Sequence, residues 1–216
     1  LFQEITYFCS MEMSSFYLDI VKDRLYCEGT TSIERRSAQT VLTEVLKVLV
    51  RIISPVLSFT ADEIWERIPE ALKEEESVHL SKWIEANPEY LNEELAKKWD
   101  KIARLRREVN KKLEAERQTG LIGHSLDARV LLNIANDEYS FIKDYTENEV
   151  SDLFIVSQVK FVNDNLAESE IEGISISVEK ASGEKCERCW KYDEEVGHDH
   201  NHSDVCPRCA SVLEKM

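Results

Sequence analysis

Hydrophobic positions recur at three- and four-residue spacing along the first half of the chain, which predicts amphipathic helices. The clearest run, residues 41–56, predicts one helix with a single apolar face that Pro55 ends or kinks. Residues 1–28 and 93–118 also read as helical, and Gly120 is a typical helix stop. The first half of the chain is therefore predicted to be entirely helical.

Two helix starts in this half carry capping-box patterns, in which a hydroxyl residue precedes a glutamate by three positions. They are Thr31 with Glu34 and Thr60 with Glu63. The second pair predicts a short helix. Residues 70–92 follow as a polar connector that leads into the helix predicted from residue 93.

After Gly123 the hydrophobic positions alternate, which is typical of strands. Residues 126–134 predict a first strand, and 153–162 and 173–181 predict two more. Residues 137–145 predict a short helix between the first two strands. The fold class is therefore mainly α, with a small α+β region after the helices.

These changes of pattern predict three domains. Residues 1–118 form a helical domain, residues 119–183 a small α+β junction region, and residues 184–216 a terminal cysteine module.

The chain has 216 residues and a net charge of −15, and no stretch of it reaches the roughly 20 apolar residues that a membrane helix needs. No secretion signal is recognisable, so we expect a cytoplasmic protein with reduced cysteines and no membrane partner. The sequence starts at Leu1, which suggests a fragment of a longer protein.

Charge is unevenly distributed. Residues 135–184 hold twelve acids and three bases, whereas 97–117 hold nine bases and four acids. The overall acidity argues against a nucleic-acid partner, but the basic helix within it is a possible track for an RNA backbone. Its residues Arg104, Arg107 and Lys111 share one side at helical spacing. A solvated outer face explains them equally well.

The terminal module reads "CERCWKYDEEVGHDHNHSDVCPRC" and contains two Cys-x-x-Cys hooks. Cys186 with Cys189 and Cys206 with Cys209 are separated by sixteen residues, a spacing typical of four-cysteine zinc sites. Four thiolates fill a tetrahedral zinc shell, so we predict one structural zinc and no catalytic metal. A redox pair or a disulfide is the weaker alternative.

Three histidines, His198, His200 and His202, lie between the hooks, and an imidazole can replace one cysteine as a ligand. Their acidic, polar surroundings favour a solvated loop instead. Arg188, Trp190, Lys191 and Arg208 lie on or beside the hooks. They either contact a nucleic acid or pack the module onto its neighbours, and the residues alone favour packing for Trp190.

The sequence has no nucleotide-binding loop, dinucleotide fingerprint, HExxH motif or recognisable catalytic triad. No residue is therefore predicted to be catalytic. On its own the chain reads as a binding module.

Several phrases resemble one family. "SSFYLDIVKDRLYC", "RRSAQTVL" and "FTADEIWE" are similar, in wording and spacing, to the anticodon-binding helical domain of bacterial isoleucyl-tRNA synthetases. "TGLIGHSLDARV" resembles the junction after that domain, and the cysteine module resembles the family's C-terminal zinc module. That module also resembles one of a DNA glycosylase family, so the helical phrases are the more specific evidence.

The resemblance implies a C-terminal fragment of a class I ligase that charges tRNA(Ile) with isoleucine using ATP. ATP would bind only in the missing catalytic domain, and the editing domain is missing too, so the fragment alone is expected to be inactive. The expected partners are tRNA(Ile), through its anticodon stem-loop, and the missing domains of the same chain, with the protein a monomer.

From charge and position within the matching segments, eight residues are expected to contact RNA. They are Arg24, Arg35, Arg36, Arg104, Arg107, Lys111, Arg188 and Trp190. Two other hypotheses stay open: a stand-alone zinc-ribbon protein that binds another nucleic acid, and an interaction scaffold with structural zinc.

Overall fold

The computed structural model describes residues 1–164 and 166–215, and these divide into two compact units. The larger unit joins Leu1–Gly29 to the described part of Glu93–Met216, and the smaller is Thr30–Asn92. Helices dominate, and a small mixed sheet and a cluster of four cysteines complete the fold, which confirms the predicted class. Within the described residues, no helix has both the length and the apolarity to cross a membrane.

The larger unit begins with a nearly continuous helical segment, as predicted. Helix α1 (Phe2–Tyr7) runs into a π-helical stretch (Phe8–Leu18), which runs into α2 (Asp19–Cys27). Neither α1 nor the π-helical stretch buries a residue fully. The buried side chains of α2 are Ile20, Val21 and Cys27.

The smaller unit begins with the long amphipathic helix α3 (Ile33–Ile53), which ends before Pro55 as predicted. The predicted cap at Thr31 is wrong by one residue. The Ser32 hydroxyl accepts a hydrogen bond from the Arg35 backbone N–H at 3.1 Å, so it satisfies one of the free N–H groups of the first turn.

Helix α4 (Ser58–Arg67) follows, and its predicted cap is also wrong. Thr60 lies inside the helix, and the residue before the helix, Leu57, makes no side-chain cap. Packing against α3 holds this helix instead, around a Trp65 side chain that is 1% exposed. The core of the smaller unit consists of Val50, Ala61, Trp65, Ile68 and Val78.

Helix α5 (Glu93–Thr119) is the central element of the larger unit. It ends at Gly120, whose φ of +80° is the left-handed conformation that glycine adopts without steric cost. One face is buried against the sheet described next. The buried apolar residues of this face are Ile102, Leu105, Val109 and Leu113.

The sheet contains three strands in the order β2-β1-β3, with β1 (Ala128–Ile134) in the centre. Strand β2 (Gln158–Phe161) is parallel to β1, and β3 (Ile174–Lys180) is antiparallel to it. Alternate residues of β1 are buried, as its pattern predicted. A 3₁₀ helix (Asp137–Asp144) occupies the position of the predicted short helix.

The strand predicted over 153–162 is only partly correct, because its first residues belong to helix α6 (Glu147–Phe154). Thr146 and Glu149 form a capping box that starts this helix. Ile155 then ends it in the left-handed conformation, with φ 57°. Only after this turn does the chain enter β2.

The cysteine module has little regular structure of its own. Strands β4 (Glu184–Lys185) and β5 (Tyr192–Asp193) pair around the first hook, and α7 (Pro207–Leu213) starts inside the second. Gly183 precedes this pair with φ +87°, and a Cβ there would lie 2.3 Å from the Asp193 carbonyl oxygen. Glycine is therefore required at that position.

We predict that Leu105→Ala destabilises the larger unit by about 2–5 kcal/mol, because the side chain is fully buried between α5 and the sheet. Chemical denaturation followed by circular dichroism measures this loss. Leu95→Ala on the same helix is the control, since Leu95 is 47% exposed. Equal effects of the two substitutions would contradict the packing described for α5.

Candidate metal centre and nucleic-acid interface

The four hook cysteines converge. Their sulfur atoms all lie within 4.8 Å of one another, and Cys189 Sγ and Cys206 Sγ are 3.8 Å apart. Zinc–sulfur bonds of about 2.3 Å in a tetrahedron separate the sulfurs by about 3.8 Å. The side chains present therefore fit one zinc ion with a closed shell of four sulfurs.

Local backbone geometry forms each hook. In the first, the backbone N–H of Trp190 donates to the Cys186 carbonyl at 2.9 Å, and the N–H of Cys189 points to Cys186 Sγ at 3.5 Å. In the second, the N–H of Ala210 donates to the Cys206 carbonyl at 2.9 Å. Pro207 starts α7 there, a position where its missing N–H costs nothing.

Thiol–thiol contacts set the acidity of three cysteines. A hydrogen bond with Cys206 is the main cause that raises the pKa of Cys189 to about 12. For Cys206, the hydrogen bond with Cys189 lowers the pKa, but the bond with Cys209 and burial outweigh it and raise the pKa to about 11. Hydrogen bonds with Cys189 and, less strongly, with Cys27 raise the pKa of Cys209. A divalent cation among these sulfurs would reverse the preference and favour thiolates.

The interior of the module is too small to hold it together by apolar burial. In the described part of the module, the buried cluster consists of three cysteines and two small apolar residues. The cysteines are Cys186, Cys206 and Cys209, and the apolar residues are Val205 and Ala210. Segments of this size usually need a metal or disulfides to fold. A metal bound by all four sulfurs would be structural rather than catalytic, because four sulfurs leave no open position for water.

The three loop histidines lie apart from the sulfur cluster. Within the described residues, the four cysteines form the one group of possible metal ligands that lie close together. His198 and His200 are exposed, and His202 is half-buried. The Asp199 carboxylate orders this loop by accepting the backbone N–H groups of Asn201 and His202, at 2.8 and 3.0 Å.

The side chain of Trp190 is 61% exposed, so the expectation that it packs the module onto its neighbours is wrong. Its backbone has φ 67°, a left-handed conformation that is unfavourable for a tryptophan. Lys185 Nζ lies 5.7 Å from the centre of its ring. A cavity of about 390 Å³ lies beside it, and its lining also includes Tyr26, Lys22 and Lys191.

The side chains of Arg188, Arg208 and Lys191 face the protein. Arg188 donates to the Cys27 carbonyl at 2.5 Å, and Arg208 donates to the carboxylate of Asp23. Lys191 forms an ion pair with Asp152. The packing role that the sequence left open therefore applies to these three side chains.

The basic side of α5 divides into exposed and paired residues. Arg104 and Arg107 are exposed. Lys111 is also exposed, but its Nζ lies 2.8 Å from both the Glu108 and the Glu170 carboxylates, and the hydrogen bond to Glu108 is the main cause that raises its pKa. Lys111 therefore offers less free charge to a phosphate than the two arginines do.

The other predicted RNA contacts lie elsewhere. Arg24 on α2 is half-buried, and its charge contributes to lowering the pKa of Glu149 after the hydrogen bonds of that carboxylate with Thr146. Arg35 and Arg36, in the first turns of α3, belong to the smaller unit, with Arg36 exposed and Arg35 half-buried.

Sequence reasoning missed Arg106. Its guanidinium lies 5.2 Å from the Phe16 ring centre and 3.7 Å from the Asp19 carboxylate, and burial lowers its pKa despite that acid. It therefore ties α5 to the first helical segment and is unavailable as a surface charge. The only sequence signal was its position on the helix. Residue 106 follows Arg104 by two residues and precedes Arg107 by one, so at 3.6 residues per turn it lies on a different side of the helix from both.

Two known families match parts of this chain. Residues 1–132 match the family described as "Anticodon-binding domain of tRNA ligase". The chain belongs to this anticodon-binding family. Residues 183–212 match a second family, described as "Zinc finger found in FPG and IleRS", and these residues contain the four converging cysteines.

Individual relatives of this anticodon-binding chain carry one name. This chain is 46% identical to the isoleucine-tRNA ligase of Kosmotoga olearia over 99% of the chain's length, and 47% identical to that of Petrotoga mobilis over 98%. The ligase of Fervidobacterium nodosum is 44% identical over 95%. The chain spans 23%, 23% and 22% of these three relatives, so it corresponds to less than a quarter of each.

We predict that Cys206→Ala abolishes stoichiometric zinc binding, because three sulfurs cannot close the tetrahedral shell. Elemental analysis of the purified chain should give one zinc per unmodified molecule. His200→Ala and His202→Ala are the controls and should keep that stoichiometry. Full zinc content in the cysteine variant would show that the ligand set is different.

Proposed function

We propose that this chain is the tRNA-binding C-terminal portion of an isoleucine-tRNA ligase and that it grips the anticodon stem-loop of tRNA(Ile). The observation that carries the proposal is the match of residues 1–132 to the anticodon-binding family, joined in one chain to a zinc-finger module. The relatives named isoleucine-tRNA ligase support the amino-acid assignment.

The complete ligase charges tRNA(Ile) with isoleucine using ATP, and the catalytic and editing domains belong to other parts of it. This portion holds no catalytic residue and works as a monomer, in the cytoplasm, within that longer chain. Its division into a helical domain (1–118), a junction region (119–183) and a zinc module (184–216) is part of the proposal. A stand-alone zinc-ribbon protein or a scaffold would leave the anticodon-binding match unexplained.

One structural zinc, held by Cys186, Cys189, Cys206 and Cys209, is also part of the proposal. The converging sulfurs and the zinc-finger match support it. When bound, the ion would supply folding free energy to the module, since four thiolates leave no position for a reacting water.

RNA contact is proposed for exposed cations and for one aromatic side chain. Arg104 and Arg107 share an exposed side of α5, where they can follow a phosphate backbone. Trp190 offers a flat, exposed ring beside a cavity of about 390 Å³, which suits a stacked base. Arg24, Arg35, Arg36 and Lys111 complete the proposed set, whereas Arg188 turns inward to the Cys27 carbonyl and is left out of it.

The backbone of Trp190 supports a functional role. A tryptophan in the left-handed conformation costs about 1–2 kcal/mol that a glycine would not. Conformations of this kind gather at functional sites. An exposed ring therefore occupies a position that stability alone would give to glycine.

We expect the chain to bind tRNA(Ile) more tightly than a non-cognate tRNA at low salt in a filter-binding titration. Arg104→Gln with Arg107→Gln should weaken binding to both RNAs and lower the slope of log affinity against log salt by about 1.5, for two lost phosphate contacts. Arg117→Gln is the matched control, because Arg117 is exposed on the same helix and paired with Glu114. Absent or equal binding of the two tRNAs would count against the proposed function.

Trp190→Gly should move RNA affinity and stability in opposite directions. Loss of base stacking should weaken tRNA binding by about 5- to 100-fold, while glycine relieves the left-handed backbone, so thermal stability should hold or rise. Trp190→Ala should weaken binding equally but lower the melting temperature relative to glycine. Unchanged tRNA affinity in both variants would remove Trp190 from the interface.

A further inference from the structure

Both hooks of the metal centre carry an arginine at the same place, directly before their second cysteine. The first reads Cys186-Glu187-Arg188-Cys189 and the second Cys206-Pro207-Arg208-Cys209. Both arginine side chains are partly buried. Both reach the same element, the C-terminal turn of α2, although that helix lies about 160 residues or more away in the sequence.

Arg208 makes the stronger of the two contacts. Its two terminal nitrogens meet the two oxygens of Asp23, at 2.5 and 2.8 Å, and Nη1 also lies 3.1 Å from the Glu28 carboxylate. A two-bond contact between a guanidinium and a carboxylate fixes the direction of both groups as well as their distance. The Asp23 side chain is 17% exposed, so water screens this pair less than a surface pair.

Arg188 contacts the last residue of the helix. Its Nη1 donates to the Cys27 carbonyl at 2.5 Å, and Cys27 Sγ donates to the Arg188 carbonyl at 3.6 Å. The final carbonyls of a helix lack partners inside it and carry partial negative charge. The arginine therefore satisfies a group that α2 itself leaves free.

Electrostatics link these contacts to the metal centre. Four thiolates with one Zn²⁺ leave two net negative charges, and each arginine is covalently next to one of the ligand cysteines. Holding the arginines on α2 therefore restrains Cys189 and Cys209. The same contacts also support α2. This helix fully buries Ile20, Val21 and Cys27, and of these three side chains only Cys27 lies in its last turn. The two arginine contacts are therefore a large part of what holds that turn.

We propose that Arg188 and Arg208 clamp the C-terminal turn of α2 onto the metal centre, so that metal binding and the seating of α2 stabilise each other. The clamp is separate from RNA binding and rests on the proposed zinc site. It makes the two arginines positioning residues, which act on the ligand cysteines through the backbone and on α2 through its acids and its last carbonyl.

The test uses the zinc-loaded 216-residue chain and follows zinc release to an excess of a colorimetric chelator. Arg208→Gln and Asp23→Asn should each speed release at least fivefold, and the double variant should release no faster than the faster single one, because both remove the same contact. Arg208→Lys keeps the charge but loses the two-bond contact, so its zinc-release rate should lie between that of the unmodified chain and that of Arg208→Gln. Arg117→Gln, an exposed arginine on α5, is the matched control and should release zinc at the unmodified rate.

Hydrogen exchange of the unmodified chain, with and without chelator, tests the clamp without a variant that has to fold. Removal of zinc should release protection in α2, residues 19–27, while β1 and β3 stay protected. The clamp would be overturned if Arg208→Gln released zinc at the rate of the unmodified chain. It would also be overturned if α2 stayed protected from hydrogen exchange after chelation. Equal loss of protection in β1 and β3 would overturn it too, since zinc would then support the whole unit. An unmodified chain that binds no zinc would instead contradict the proposed metal site.

Discussion

The convergence of four sulfurs is the constraint on which the terminal module depends. Apart from its cysteines, the described part of this module fully buries Val205 and Ala210, too little apolar surface to offset the entropy of ordering some thirty residues. Crowded thiols do not supply the missing free energy, because the net effect of their contacts and burial is to raise the pKa of Cys189, Cys206 and Cys209. A cation changes the sign of that interaction, so the same crowding that disfavours free thiolates favours a metal thiolate centre. The contacts that this module makes with α2 and α6 include those of Arg188, Lys191 and Arg208, which lie next to the hook cysteines.

Sequence patterns predicted the parts of the fold in which local and tertiary forces agree. Strand β1 alternates because one side faces α5, and α5 ends where glycine permits a left-handed turn. The prediction failed over 153–162, where a run of apolar residues is compatible with both helix and strand. The capping box at Thr146 decided for helix up to Phe154, and a left-handed Ile155 separated it from β2. A turn of that kind at a β-branched residue has no sequence signal.

The convergence of the four cysteines was predictable from their spacing, and the contacts of the surface around them were not. Cysteine spacing specifies a ligand set because the tetrahedron allows few alternatives. Charge specifies no partner, because an arginine serves an acid of its own chain or a phosphate equally well. The sequence pattern predicts Lys111 as part of a basic track, yet its ammonium group forms ion pairs with Glu108 and Glu170. Glu170 belongs to a segment that is distant in the sequence. Such pairing depends on tertiary contacts that the sequence does not display.

Arg188 and Trp190 lie on either side of Cys189, and the backbone of Trp190 is left-handed. The two side chains have different environments. Arg188 turns inward to the last carbonyl of α2, while the Trp190 ring stays 61% exposed. Glycine would make the same turn at lower free energy and leave no ring on the surface. Stability therefore explains the arginine on this hook and does not explain the tryptophan. A single hook can in this way serve an internal contact and an external one, provided that the metal keeps its cysteines fixed between them.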